Sequence, residues 1–170
     1  TTEIYTLSLH DALPILLRMR LGYPNILDEI RIMDDQRLAH PIESLKPVIK
    51  AKDLTQAMGN IKKIYLSNAV KRYIVELCTR TRQSPDVYLG ASPRGSLSLA
   101  RAGQAKAALM GRDHVLPDDI KSLAVAVLAH RIIVSPAARL RDLSSDKIVQ
   151  EILLSTPAPG GSFTADSRKK

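Results

Sequence analysis

Apolar residues recur at helical spacing along most of the chain. The clearest series follows Ser67 and has apolar residues three or four positions apart: Val70, Tyr73, Ile74, Leu77 and Cys78. This period places them on one face, which a helix buries against a core. Similar patterns predict helices at residues 25–39, 52–61, 92–110, 117–128 and 144–153, with a single turn at 136–140.

Residues that favour helix ends stand at several of these boundaries. Asn25, Ser67 and Ser144 precede apolar series and are predicted N-caps, because their side-chain oxygens can accept a hydrogen bond from a free backbone N–H. Ser92 is followed by Pro93, a preferred first helical residue. Gly111 then ends that helix, as a C-terminal glycine does.

The remaining segments are short. Residues 16–21 alternate loosely before Gly22-Tyr23-Pro24 and predict a short strand closed by a turn. Residues 65–66 and 130–134 are expected to be extended, and 81–91 to form a loop. Residues 156–170 are rich in Pro, Gly and Ser, which predicts disorder. The expected fold is therefore all-α, a small helical bundle with a short N-terminal strand.

Composition agrees with one aliphatic core. The chain has 170 residues and only 4% aromatic residues, so Leu, Ile, Val and Ala must fill the interior. The one cysteine, Cys78, excludes an intramolecular disulfide and a multi-cysteine zinc site. It lies in an apolar stripe, which favours a buried structural thiol over a nucleophile. A protein without disulfides fits a reducing compartment, so we expect a cytoplasmic location.

The charge is strongly positive, with 25 basic against 17 acidic residues and a net charge of +8. A basic helical module that binds nucleic acid is therefore one hypothesis, and a passive oligomerisation module is another. Acidic residues lie among the basic ones, however, and only residues 168–170 form a basic run. No aromatic stacking platform is evident either, so nucleic acid is an unlikely partner. No apolar run is long enough to span a membrane.

Motifs that carry chemistry are few. Residues 90–95 have the glycine spacing of a P-loop, but Ser96 and Leu97 stand where that motif needs Lys and Ser or Thr. Pro93 also removes a backbone N–H that would bind phosphate. The four histidines have no metal-ligand spacing, and no serine has the context of a nucleophile. We therefore expect no metal site and no catalytic residue in this chain.

Arg94 is the exception. It falls in the first turn of the helix that Ser92 and Pro93 begin, where its charge opposes the helix dipole. A helix N-terminus beside an arginine can bind phosphate. Arg101 follows at i+7 on the same face and is a weaker candidate. From these residues alone, a surface arginine that reaches solvent remains the more probable interpretation.

Four segments together resemble the C-terminal part of MoxR-family AAA+ ATPases. Their sequences are LRMRLGYP at 17–24, SPDVYLGASPRGSL at 84–97, GRDHVLPDDIK at 111–121 and LAHR at 128–131. The similarity extends over about residues 16–159, and the segment GASPRG at 90–95 is the most specific. The resemblance implies the helical lid that follows the α/β nucleotide domain in this family.

The resemblance also implies a function. Members of the family hydrolyse ATP with Mg²⁺ and form ring oligomers, typically hexamers. Many act with von Willebrand factor A-domain partners as chaperones on protein clients. Arg94 matches the family's sensor-2 arginine, which reaches the ATP phosphates, and Ser92 and Pro93 belong to the same nucleotide-binding segment. Arg101 is a weaker member of this site.

The chain departs from the family at its start. No Walker A, Walker B or sensor-1 segment is present, and residues 1–15 resemble translated sequencing-adapter sequence. We therefore expect a non-native segment at 1–15, a strand and turn of the nucleotide domain at 16–24, the lid domain at 25–155 and a tail at 156–170. Such a fragment should neither bind a cofactor nor hydrolyse ATP alone. Leu116 stands where the family usually has Thr or Ser as an N-cap.

Overall fold

A computed structural model describes residues 15–37 and 40–159. Within them the chain forms helices and one short antiparallel sheet. In chain order the elements are α1 (Ile26–Asp35), α2 (Ala51–Ile61), α3 (Asn68–Gln83), β1 (Val87–Leu89), α4 (Pro93–Leu109), α5 (Pro117–Leu128), β2 (Ile133–Val134), α6 (Pro136–Leu140) and α7 (Ser145–Ser155). Short 3-10 helices lie at Pro41–Ser44 and Ala129–Arg131. The all-α class is confirmed.

The described residues divide into two compact units. The first, here the core unit, comprises residues 15–18 and 64–159, and the second is Met19–Lys63. The buried hydrophobic cluster lies in the core unit. No helix among the described residues is long and apolar enough to cross a membrane.

The Met19–Lys63 unit contains two amphipathic helices. Asn25 caps α1 as predicted, because its Oδ1 accepts the N–H of Asp28 at 2.9 Å. Neither α1 nor α2 has a buried residue, so their apolar side chains are exposed. The prediction that the first helix continues to about residue 39 was wrong, since α1 ends at Asp35 and the chain turns there.

The strand expected at residues 16–21 is absent. Residues 15–25 run without regular structure, and Gly22 takes a φ of +71° at the predicted turn. A strand needs a neighbouring strand to pair its backbone groups. Here the Arg18 N–H instead donates to the carbonyl oxygen of Ala126 in α5, at 2.8 Å.

The core unit buries the faces that the apolar periodicity predicted. The series on α3 is inside, with each residue at most 4% exposed, and Cys78 is fully buried. Burial raises the pKa of the Cys78 thiol, as expected of a structural cysteine. The matching buried residues of α5 and α7 are Ile120, Ala124, Val127, Leu128, Ile148, Val149 and Ile152.

Helices α4 and α5 pack closely because α4 carries small residues. A Cβ at Gly103 would lie 2.6 Å from Cδ1 of Ile120 and 3.2 Å from Cγ1 of Val115. Ala102 and Ala107, on the same helix, are also buried. These residues allow the close approach that the alanine-rich sequence of α4 predicted.

The predicted loop at 81–91 and the extended segment at 130–134 are more regular than expected. Helix α3 continues to Gln83, and β1 then pairs with β2 through Val87 opposite Val134 and Leu89 opposite Ile133. Residues Ala129–Arg131 form a helical turn before β2. The two strands form because residues far apart in the chain pair with each other. Both strands are too short to show an alternation of apolar and polar residues in the sequence.

Asp119, in the first turn of α5, binds the backbone of the N-cap residue Leu116, although Leu116 has no side-chain oxygen to bind the helix in return. The Asp119 Oδ2 accepts the backbone N–H of Leu116 at 2.9 Å, and Arg112 donates to both carboxylate oxygens at 2.9 and 2.7 Å. Burial would raise the pKa of Asp119, but the Arg112 guanidinium and the Leu116 N–H outweigh it and keep that pKa below its usual range.

Thr156 and Ala158, at the start of the expected tail, pack against the core unit. Thr156 is only 4% exposed, and its hydroxyl donates to the carbonyl oxygen of Ile152 at 2.6 Å. Ala158 also packs against the core. Contacts with α7 therefore order the first residues of a segment whose composition alone predicts disorder. Residues 160–170 and most of the 1–15 segment lie outside the described residues.

Asp119→Ala should lower the free energy of unfolding by about 2–3 kcal/mol, because the Leu116 N–H and the Arg112 guanidinium lose their acceptor. Chemical denaturation at pH 7 measures this change. Asp118→Ala is the matched control: Asp118 is 86% exposed and, among the described residues, forms an ion pair with Lys121 alone, so the change should stay within about 0.5 kcal/mol.

The effect should also depend on pH. Since the folded-state pKa of Asp119 is lowered, its stabilisation is present above the ordinary value of 3.8 and is lost as the pH falls through the folded-state pKa. The difference between wild type and Asp119→Ala should therefore shrink on acidification. A difference that stays constant down to pH 2 would contradict the ion-pair explanation.

Candidate functional site

Arg94 lies in the first turn of α4, directly after Pro93, and is exposed to solvent. Its side chain forms no hydrogen bond or ion pair with any other described residue. The positive end of the helix dipole lies at the same place, and no acidic residue occupies that first turn. The Arg94 guanidinium and the helix dipole therefore both contribute positive potential here, and no acidic residue of the first turn neutralises it. Such a place can bind an anionic ligand.

Ser92 occupies the N-cap position of α4, but its hydroxyl makes no capping bond. The N–H of Gly95, which such a cap would bind, donates instead to the backbone carbonyl of Ser92 at 2.7 Å. Ser92 is exposed, so its hydroxyl faces solvent near Arg94. Ser92 is therefore at the N-cap position, as predicted, but the predicted capping hydrogen bond is absent.

The other residues on the predicted face of α4 differ in their surroundings. Arg101 is exposed, two turns from Arg94. Ser98, between them, is only 8% exposed, and its hydroxyl accepts a hydrogen bond from Arg131 at 3.0 Å. Ser98 therefore belongs to the packing of α4, whereas Arg94, Leu97 and Arg101 are exposed.

The residue before Ser92 is fixed by a buried hydroxyl. The Ala91 N–H donates to Oγ1 of Thr81 at 2.9 Å, and the Thr81 hydroxyl donates to the carbonyl of Cys78 at 2.7 Å. Thr81 and Ala91 are both 0% exposed. A fully buried hydrogen bond thus ties the start of α4 to the last turns of α3.

Arg82 makes the second link to the same residue. Its Nε donates to the carbonyl oxygen of Ala91 at 2.8 Å. The neighbouring Gly90 lies so close to α3 that a Cβ there would be 2.6 Å from the Arg82 Cα and 2.7 Å from its backbone nitrogen. Gly90, the first glycine of the P-loop-like spacing, is therefore required for the close packing of this segment against α3.

Gly95 completes the packing beneath Arg94. It is buried, and a Cβ at this position would be 3.2 Å from Cβ of Ala91 and 3.4 Å from a methyl group of Leu128. The small residues around Arg94 thus allow the first turn of α4 to lie on α5. Arg94 stays exposed, while Ala91 and Gly95 before and after it in the chain are buried.

Sequence reasoning missed three residues that position this turn. Thr81, Arg82 and Arg131 all contact α4 or the residue before it, from α3 and from the end of α5. Arg131 is half-buried. The sequence carries one signal of this role. Thr81 is four positions after Leu77 and three after Cys78, so this polar residue continues the apolar face of α3.

Other chemistry is sparse in the described part of the chain. No group of three His, Cys, Asp or Glu side chains there could hold a metal ion. Several basic residues pair with acids: Arg18 with Asp146, Arg80 with Glu76, Arg112 with Asp119, Lys121 with Asp118 and Arg141 with Asp86. This pairing weakens the hypothesis of a continuous basic surface for nucleic acid.

Comparison with known proteins identifies relatives of this chain. Residues 79–152 match the family described as AAA lid domain. The uncharacterized protein YeaC of Bacillus subtilis is 40% identical over 144 residues, which cover 85% of this chain and 45% of YeaC. The chaperone MoxR1 of Mycobacterium tuberculosis is 26% identical over 153 residues, covering 85% of this chain and 40% of MoxR1.

A solved structure shares the fold. The crystal structure of a protein from Cytophaga hutchinsonii, provisionally assigned as an ATPase, superposes with a TM-score of 0.77 at 24% identity and covers 91% of this chain and 52% of that one. The chain thus spans about half the length of these relatives or less.

Gly90→Ala should destabilise the core unit by about 1–3 kcal/mol, the usual cost of forcing extra atoms into a packed site. The added Cβ would meet backbone atoms of Arg82, which cannot rotate away. Gly59→Ala is the control, because nothing lies within 4 Å of a Cβ there and alanine favours helix α2. Thermal unfolding of both variants tests this, and equal melting temperatures would contradict it.

Proposed function

Because this chain is the lid region of a member of the MoxR family of AAA+ ATPases, we propose that α4 presents Arg94 to the phosphates of ATP bound by a nucleotide domain of the full-length protein. The full-length protein then hydrolyses ATP, and this region contributes charge to the site. The observation that carries the proposal is the isolated, exposed guanidinium of Arg94 at the start of a rigidly packed helix.

The chemistry of the site supports phosphate as its ligand. A guanidinium donates in a planar fork that matches phosphate oxygens, and the α4 dipole adds positive potential in the same place. Arg94 has no acidic partner in the described chain to give up before it binds. Ser92 and Pro93 set the direction of the helix start, and Arg101 contributes a weaker, more distant charge.

Arg94 stabilises the negative charge that moves between the phosphate oxygens during phosphoryl transfer. Mg²⁺ bound with ATP would neutralise part of that charge, and residues of the nucleotide domain would hold it. Because the start of α4 is fixed to α3 and α5 through Ala91 and Gly95, a change in the contact of Arg94 with phosphate moves these helices of the core unit together.

The family relationship supports a wider role. We propose that the full-length protein assembles into a ring, specifically a hexamer, and remodels protein clients together with a von Willebrand factor A-domain partner. The chaperone named among its relatives supports the remodelling role. Cys78 of this chain is buried and forms no disulfide, and a cytoplasmic location is proposed on this ground.

Arg94→Ala in the full-length ATPase should lower turnover by roughly ten- to a hundredfold, the equivalent of one charge-assisted phosphate contact. Arg94→Lys should restore only part of the rate, because a point charge does not reproduce the planar fork. Arg101→Ala is the matched control, since it removes an equally exposed arginine two turns away and should have a smaller effect. Steady-state ATP hydrolysis measures all three.

Folding of the variants distinguishes a binding role from a structural one. Removing Arg94 takes away a charge that opposes the helix dipole, so the melting temperature of the lid should not fall. If Arg94→Ala keeps full turnover while it unfolds the lid, Arg94 is a structural residue and the proposed phosphate contact is wrong.

A further inference from the structure

Arg131 is a half-buried arginine that contacts three separate parts of the core unit. Its Nε donates to the carbonyl oxygen of Val127, in the last turn of α5, at 2.9 Å. Its Nη2 donates to Oγ of Ser98 in α4 at 3.0 Å. The same nitrogen contacts the main-chain carbonyl of Ile15 and lies 3.5 Å from that of Leu16.

The stem of Arg131 also lies beneath the site. A Cβ at Gly95 would be 3.8 Å from its Cδ, so Arg131 passes against the residue that follows Arg94. Burial, and secondarily the nearby charge of Arg94, lower the pKa of Arg131. The two arginines are therefore neighbours of like charge, yet only Arg131 has hydrogen-bond partners among the described residues.

The segment that Arg131 contacts, residues 15–18, is bound to the core unit at further points. The Arg18 N–H donates to the carbonyl of Ala126, and the Arg18 guanidinium pairs with Asp146 at 3.2 Å. Leu17 packs against the hydrophobic core. The hydrogen bonds and the ion pair of Arg18 go to α5 and α7, so among the described residues Arg131 provides the direct hydrogen-bonded link between this segment and α4.

We propose that Arg131 is a positioning residue, which fixes the first two turns of α4, and with them Arg94, to the segment 15–18. Three of its four acceptors are backbone carbonyls, which any residue supplies, so the link does not depend on which side chains occupy positions 15 and 16. The consequence for catalysis rests on the proposed function: displacing the segment would move Arg94 relative to the ATP phosphates.

The link itself is tested in this chain without nucleotide, by amide hydrogen exchange. Arg131→Gln should speed exchange of the Arg18 amide and of amides in residues 95–98 by about tenfold, as expected for the loss of hydrogen bonds worth about 1 kcal/mol each. Arg131→Lys should give an intermediate rate, because an ammonium group satisfies some of these acceptors. Arg139→Gln removes the same charge from an exposed position and should leave both segments unchanged.

Two results of the exchange experiment would overturn the proposal. Wild-type exchange at Arg18 and at residues 95–98 in Arg131→Gln would show that the guanidinium does not join them. A uniform increase that includes the buried amides of α3 and α7 would show that Arg131 supports the whole core and has no specific positioning role.

The effect on Arg94 is tested by a double-mutant cycle in the full-length ATPase. Arg131→Gln should lower kcat by about five- to tenfold when Arg94 is present and by less than twofold in the Arg94→Ala background. Equal losses in both backgrounds would overturn positioning through Arg94. If Arg94→Ala alone leaves turnover intact, the proposed function fails, whereas the exchange result still decides whether Arg131 joins the two segments.

Discussion

The start of α4 depends on one buried hydrogen bond, from the Ala91 N–H to the hydroxyl of Thr81. Both groups are fully excluded from water, so losing the acceptor would leave an unsatisfied N–H at a cost of about 1–3 kcal/mol. The constraint extends to the neighbouring residues. Gly90 must be small to let the chain pass the backbone of Arg82, and Gly95 must be small to let the helix lie on α5. Residues 90–95, which have the glycine spacing of a P-loop, thus pack tightly against α3 and α5, and Arg94 stays exposed.

Three arginines in the core unit have the same chemistry and different surroundings. Arg112 is paired with Asp119 and completes the cap of α5, which is a structural role. The donors of Arg131 are occupied by carbonyl oxygens and by Ser98. Arg94 has no partner among the described residues. An arginine without a partner, at the positive end of a helix, is the one whose charge is available to a ligand.

The two units use amphipathic helices in contrasting ways. In the core unit the apolar faces of α3, α5 and α7 meet and bury each other. In the Met19–Lys63 unit, α1 and α2 have faces of the same kind with no buried residue. Periodicity therefore identified helices equally well in both, but it did not indicate which faces would be covered. Burial depends on the presence of a second surface, which local spacing does not encode.

The sequence by itself determined the helices of this protein, most of their caps and the position of Arg94. These features depend on local spacing: the apolar period of α3, the caps Asn25, Ser67 and Ser144, and the pair Ser92-Pro93 before Arg94. Only the tertiary structure decided the rest. The pairing of β1 with β2, the contacts of Thr81 and Arg82 with Ala91, and the contacts of Arg131 join residues about ten to more than a hundred positions apart. A side chain's role there is set by the partner that folding brings to it, and neither composition nor period specifies that partner.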